Sequence, residues 1–198
     1  MIYTVGDSHG FYAFVRIAEW HTAGWLLMHH AGAAGHLQRF VNDIPLVPGD
    51  VLIVSCGEID VRFCIREQTQ KQNADYTTVL QRTVDAYLEQ VAVLDARGAT
   101  VAVLSVSPPA PGEMGKPREP EVTDEQRIAY TRTMNELLRD GCAARGIPFV
   151  DTYTEVVGPD GMLPLYNSDG WTHITDTTAT KRVLTRLGLM KGGSDATP

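Results

Sequence analysis

Ile2-Tyr3-Thr4-Val5-Gly6-Asp7-Ser8-His9 decides how the rest of the chain is read. A short β-branched and aromatic run that breaks into Gly-Asp-Ser predicts a buried strand ending in a tight turn. The turn lifts the hydroxyl of Ser8 to the carboxyl end of that strand. In an open α/β sheet this is the edge where ligands bind. Read alone, Ser8 is a plain turn residue; a base within reach would make it a nucleophile. Asp169-Gly170-Trp171-Thr172-His173, just before the last helical pattern, offers that base from the other end of the chain.

Composition narrows the field. The 198 residues, 43% hydrophobic and 21% charged, suit one domain over 1–190 with a flexible tail over 191–198. A formal net charge of −7, without a Lys or Arg run, argues against a nucleic-acid partner. The longest apolar runs are strand-sized, which argues against a membrane span, and no basic and apolar leader precedes the first strand. Cys56, Cys64 and Cys142 have no metal-ligand spacing and fit reduced thiols in a cytoplasmic protein. His9, His29, His30 and His36 are too scattered to form a convincing metal-ligand set. The pattern carries no sign of oligomeric state.

Strand and helix signals alternate along the chain. Helices are predicted over 11–20, 36–42 and 73–97, the last stopped by Gly98. Strands are predicted over 25–28, 51–56, 100–106 and 147–150. Thr123-Asp124-Glu125-Gln126 reads as a capping box opening a helix that Gly146 ends. A final helix carries Ala179, Val183, Leu184 and Leu187. The loop from Ser107 to Val122, with five prolines and two glycines, is long enough to suggest a functional cover. The fold expected is α/β: three layers, flavodoxin-like, with a parallel sheet of about five strands. Right-handed crossovers then bring the breaks after the first three strands to one rim, together with His173. A dinucleotide-binding reading fails because no Gly-x-Gly-x-x-Gly follows the first strand.

Four blocks in order resemble those of the SGNH, or GDSL-like, hydrolases. They are Gly6-Asp7-Ser8; His30-Ala31-Gly32-Ala33-Ala34-Gly35; Gly57-Glu58-Ile59-Asp60; and Asp169 with His173. The resemblance implies a flavodoxin-like sheet and esterase, deacetylase, thioesterase or lipase activity without metal or organic cofactor. By position it implies Ser8 as nucleophile and, through its own N–H, an oxyanion donor. Gly35 would be the second donor, His173 the general base and Asp169 the residue orienting it. Gly32, Asp60, Arg62 and His30 would line the oxyanion and substrate side.

Two departures from the family pattern stand out. Ile59 occupies the place of an Asn in a Gly-x-Asn-Asp pattern, and its side chain cannot donate to an oxyanion. Such a loss costs on the order of 10²–10³ in rate when nothing replaces it. Arg62 is a candidate replacement; its alternative role is an ion-pair partner for Glu58 or Asp60. Three residues separate Asp169 from His173 where the family usually has two, so Asp169 is read either as the third triad member or as a turn former. Asp7 reads as ordering its own turn.

The chemistry expected is cleavage of a small ester, an acylated sugar being one candidate, through an acyl-serine. The alternatives are acyl transfer from the same intermediate to an alcohol or amine, and a binding protein that keeps the fold without the activity.

Overall fold

The computed structural model describes all residues except 23, 25, 111–121, 171 and 192–198. The chain begins with β1 (Ile2–Gly6), α1 (Ser8–Tyr12) and β2 (Glu19–Thr22), then α2 (Met28–Ala31), α3 (His36–Val41) and β3 (Val51–Ser55). A π-helical turn over Asp60–Cys64 runs into α4 (Ile65–Gln72) and α5 (Tyr76–Ala92). There follow β4 (Thr100–Leu104), α6 (Asp124–Arg145), β5 (Phe149–Val150), α7 (Tyr153–Val156) and α8 (Thr177–Arg186).

The five strands form one sheet in the order β2-β1-β3-β4-β5, and every pairing is parallel. Successive side chains of a strand point to opposite faces, and here both faces are covered. Leu52 and Val54 of β3 join Tyr3, Val5 and Val103 in a core built with Leu80, Leu88, Met134 and Leu138 of α5 and α6. Val51 and Ile53 point the other way, to Phe14, Leu104, Val150, Val183 and Leu184. A strand buried on both faces must be apolar throughout, and all five residues of β3 are buried. The result is the expected α/β/α sandwich with a five-stranded parallel sheet.

Local boundaries differ where tertiary context decides them. The second strand is at Glu19–Thr22; of the expected 25–28, residue 25 lies outside the described residues, 26–27 are irregular and Met28 opens α2 instead. As an edge strand, β2 leaves Glu19 and Trp20 exposed, so it carries no apolar run to announce it. The expected helix over 11–20 is only the single turn α1; Arg16, in the left-handed region at φ 63°, lies beyond its end. The helix expected over 73–97 is α5, shorter at both ends: Asn73, left-handed, closes the preceding α4, which the sequence did not announce, and the Asp75 side chain accepts from Thr78 N–H to start α5. The capping box at Thr123 and the Gly146 stop are where the sequence puts them. Most of the proline-rich loop and nearly all of the expected tail lie outside the described residues. Among the described residues, no helix is long and apolar enough to cross a membrane.

Candidate active site

The site starts from a glycine that nothing else can replace. Gly6 has φ 140°, and a Cβ there would stand 1.8 Å from the Ser55 carbonyl oxygen. This close approach of β1 to β3 lets Asp7 N–H donate to the Ser55 oxygen at 3.1 Å. The Asp7 carboxylate turns back to cap α1: Oδ1 accepts His9 N–H at 3.1 Å and Ser55 Oγ–H at 2.9 Å. Ser8 is thereby the first residue of α1, held at the carboxyl edge of the sheet. Its own N–H belongs to a first helical turn, where such groups have no intrahelical acceptor.

His173 arrives from a tight loop. Asp169 N–H donates to the His173 carbonyl at 3.3 Å, Thr175 N–H to that of Asn167 at 2.8 Å, and Ser168 bridges Ile174. Gly170, at φ 84°, supplies the left-handed step of this reversal. The additional residue between Asp169 and His173 is absorbed here, so the pair is not pulled apart. Ser8 Oγ lies 2.9 Å from His173 Nε2, and His173 Nδ1 lies 2.6 Å from Asp169 Oδ2. A carboxylate at Nδ1 requires the proton there, which leaves the Nε2 lone pair facing the serine hydroxyl. Burial pushes the His173 pKa below the ordinary histidine value; the Asp169 hydrogen bond opposes this and the nearby His9 adds to it. At neutral pH the ring is therefore a free base.

Two further side chains of α1 touch the same imidazole. The Tyr12 ring stacks on His173 with centroids 4.0 Å apart and planes at 14°. The His9 ring lies 4.9 Å from it, and His9 Nε2 is 3.1 Å from the Thr172 carbonyl oxygen. Tyr12 was not singled out from sequence, and His9 was weighed only as a metal ligand. For Tyr12 the signal was helical spacing, because a residue four after Ser8 shares its helix face.

The other residues expected in the site divide. Gly35, exposed at the start of α3, donates its N–H to Gln90 Oε1 at 3.1 Å. Gly32 N–H is used by the Met28 carbonyl at 3.0 Å. Neither amide is free for an oxyanion, which corrects that reading of both; Gly32 serves packing, since a Cβ there would meet Ala86 Cβ of α5 at 3.0 Å. Asp60 is a structural clamp: its carboxylate accepts Met28 N–H at 2.7 Å and His29 N–H at 3.2 Å, joining the second block to the third. Burial pushes its pKa up to about 6, against those two hydrogen bonds. His30 is exposed on α2, with His29 (5.6 Å) and His36 (6.3 Å) as its ring neighbours. Ile59 is buried and offers no donor.

Arg62 sits on the π-helical turn after β3. Its Nη2 pairs with Glu58 Oε2 at 3.0 Å and its guanidinium lies 4.5 Å above the Phe63 ring. The Arg62 Nε is buried and makes no hydrogen bond among the described residues. Glu58 and Arg62 both act electrostatically on the charge of His9, and Glu58 also on that of His173. A cavity of about 420 Å³ lies elsewhere, between α6, β5 and α8, and touches none of Ser8, Asp169 or His173. Among the described residues, no group of three or more His, Cys, Asp or Glu is arranged to hold a metal.

Residues 16–180 match the family model of the GDSL-like lipase/acylhydrolase family. The chain belongs to that family. The match begins after Ser8, so the place of Ser8 in the site of this GDSL-like protein rests on the geometry above. No curated protein matches the sequence. Solved structures of similar shape include a GDSL-like lipase from Bacteroides thetaiotaomicron, at 17% identity and TM-score 0.59, over 94% of this chain and 84% of that one. An inhibitor-bound aryl esterase from M. smegmatis is similar at 15% identity and TM-score 0.58, over 96% and 99% of the two chains. The OSK domain of Drosophila Oskar is similar at 10% identity and TM-score 0.58, over 92% and 86%. At such identities the likeness is one of fold, and neighbours bearing names this different leave the reaction to be argued from the site.

Proposed function

We propose that this GDSL-like protein is a serine hydrolase that cleaves a small ester through an acyl-serine intermediate. The observation that carries the reading is the relay itself: a serine oxygen 2.9 Å from an imidazole nitrogen whose other nitrogen is 2.6 Å from a carboxylate. A serine hydroxyl is a poor nucleophile until a base accepts its proton as it attacks. His173 Nε2 takes that proton while Ser8 Oγ bonds to the acyl carbon. The imidazolium, steadied by Asp169, then protonates the departing alcohol as the ester C–O bond breaks. Water, deprotonated by the same nitrogen, attacks the acyl-serine; the acyl–Oγ bond breaks, the imidazolium returns its proton to Ser8 Oγ and the acid leaves. Every step uses side chains of this chain.

The oxyanion of each tetrahedral intermediate needs donors. Ser8 N–H, at the helix start, supplies one. With Ile59 silent and the amides of Gly32 and Gly35 engaged, Arg62 supplies the other through its unpartnered Nε or a guanidinium released from Glu58. An acylated sugar is one candidate substrate class; a net charge of −7 and the absence of a basic run favour a small molecule over a polyanion. The family relationship supports an esterase or deacetylase as the working assignment, and the cysteine usage a cytoplasmic one.

Turnover of short acyl esters by the native protein and by Ser8→Ala tests the reading. Loss of all turnover in a folded Ser8→Ala protein supports it, and equal turnover contradicts it. Adding an alcohol or amine acceptor separates hydrolysis from acyl transfer by product. The engaged glycine amides and Ile59 favour one rival, a binding protein with an intact relay and no oxyanion pocket. Absence of turnover with any chain length would favour that rival.

A further inference from the structure

Behind the Ser8–His173–Asp169 relay stands a second carboxylate and imidazole, one residue to either side of the nucleophile. Asp7 and His9 are both buried, at 1% and 4% exposure. His9 Nε2 faces the Thr172 carbonyl at 3.1 Å, and that oxygen can only accept. His9 Nδ1 faces Asp7 Oδ1 at 3.6 Å, and it is buried without a hydrogen bond, as is Asp7 Oδ2. A neutral ring donating to Thr172 would turn a lone pair toward the carboxylate. Only a ring with N–H on both nitrogens serves both neighbours.

We propose that His9 is a positioning residue which, clamped between the Asp7 carboxylate and the Thr172 carbonyl, ties the loop carrying Asp169 and His173 down onto the helix turn carrying Ser8. This rests on the serine-hydrolase reading of the site. Among the described residues, Ser8 and Tyr12 also hold His173 against α1, through a hydrogen bond and a ring stack, which fix distance and tilt less firmly. The clamp also has an electrostatic side. Asp7 before α1 and His173 before α8, the latter paired with Asp169, lie against His9, and Glu58 and Arg62 after β3 act on it electrostatically. Burial and Arg62 oppose a charge on His9, but Glu58 and Asp7 outweigh them and hold its pKa above the ordinary value. A cationic His9 disfavours a proton on His173 and so keeps the general base free in mildly acidic solution.

His9→Leu and His9→Gln are the discriminating variants, because glutamine can still donate to Thr172 but carries no charge. Two readouts are taken for each folded variant: the rate of fluorophosphonate labelling at Ser8 against pH, and the imidazole titration of His173 by NMR. The expectation is that His9→Leu labels about tenfold or more slowly and that His9→Gln recovers part of that loss. In both, the His173 titration moves about half a pH unit or more toward higher pH, since a neighbouring cation has gone. Wild-type labelling rate in His9→Leu, or an unmoved His173 titration in both variants, overturns the proposal. Should His9→Leu fail to fold, the titration in His9→Gln alone decides. Native protein that does not label at all contradicts the hydrolase reading instead, while the NMR titration still reports on His9.

Discussion

Asp169 and His173 are four residues apart and pair twice: Oδ2 lies 2.6 Å from Nδ1, and Oδ1 accepts the His173 N–H at 3.3 Å. The second bond fixes the carboxylate plane with respect to the backbone that carries the ring, so orientation does not depend on the side-chain pair alone. Asp169→Asn should therefore preserve the loop while presenting the wrong partner to Nδ1. The expected loss in kcat/KM is about 10³–10⁴-fold with an unchanged fold, as when a triad carboxylate is neutralised. Steady-state kinetics alongside circular dichroism checks this, and a loss below tenfold would remove Asp169 from the relay.

The pH profile follows from the direction of the His173 shift. A histidine whose folded pKa is depressed is neutral over a wider range, so activity should hold through neutrality and fall only below about pH 6.5. A rate that stays flat from pH 5 to pH 8 is expected only if the depression is large or if His173 is not the base. A kcat/KM profile extended to pH 4 distinguishes these, since a true base must still show an acid limb.

Arg62→Met keeps much of the side-chain length and removes the guanidinium. If Arg62 stands in for the donor that Ile59 cannot supply, kcat should fall about 10²–10³-fold with KM little changed. A rise in KM at constant kcat would instead make Arg62 a substrate-binding group.

Gly6→Ala probes the approach of β1 to β3. A Cβ 1.8 Å from the Ser55 carbonyl cannot be accommodated by a side-chain adjustment, because the obstacle is backbone and φ is 140°. The strand end must shift, at a cost of about 3 kcal/mol or more, and Asp7 and Ser8 move with it. A fall in Tm with loss of activity is expected; unchanged Tm would contradict this account of the turn.

What the sequence disclosed depended on how local each cause was. The stretch 51–54 is apolar because both its faces are covered, and the Thr123 box caps its own helix, so both were legible. The strand at Glu19–Thr22 was not, because an edge position needs no apolar run. Helix Ile65–Gln72 was missed for a related reason: Ile65 is its one buried residue, and no stripe marks it. In the site, Ser8, His173 and Asp169 were legible from ordered motifs. The availability of the Gly32 and Gly35 amides was not, since it depends on a helical carbonyl at Met28 and on Gln90, 55 positions further along. Tyr12 escaped notice because the helix was expected to begin at Phe11, and it falls on the face of Ser8 only when the helix begins at Ser8 itself; His9 was weighed only as a metal ligand.

The central claim is that Ser8 is an activated nucleophile, and covalent labelling tests it most directly. Folded protein is treated with a fluorophosphonate at pH 7.5, and the modified peptide is mapped by mass spectrometry. The account predicts one adduct, on Ser8, absent in His173→Ala and after denaturation. Folded protein that remains unlabelled, or that is labelled on another residue, would contradict it.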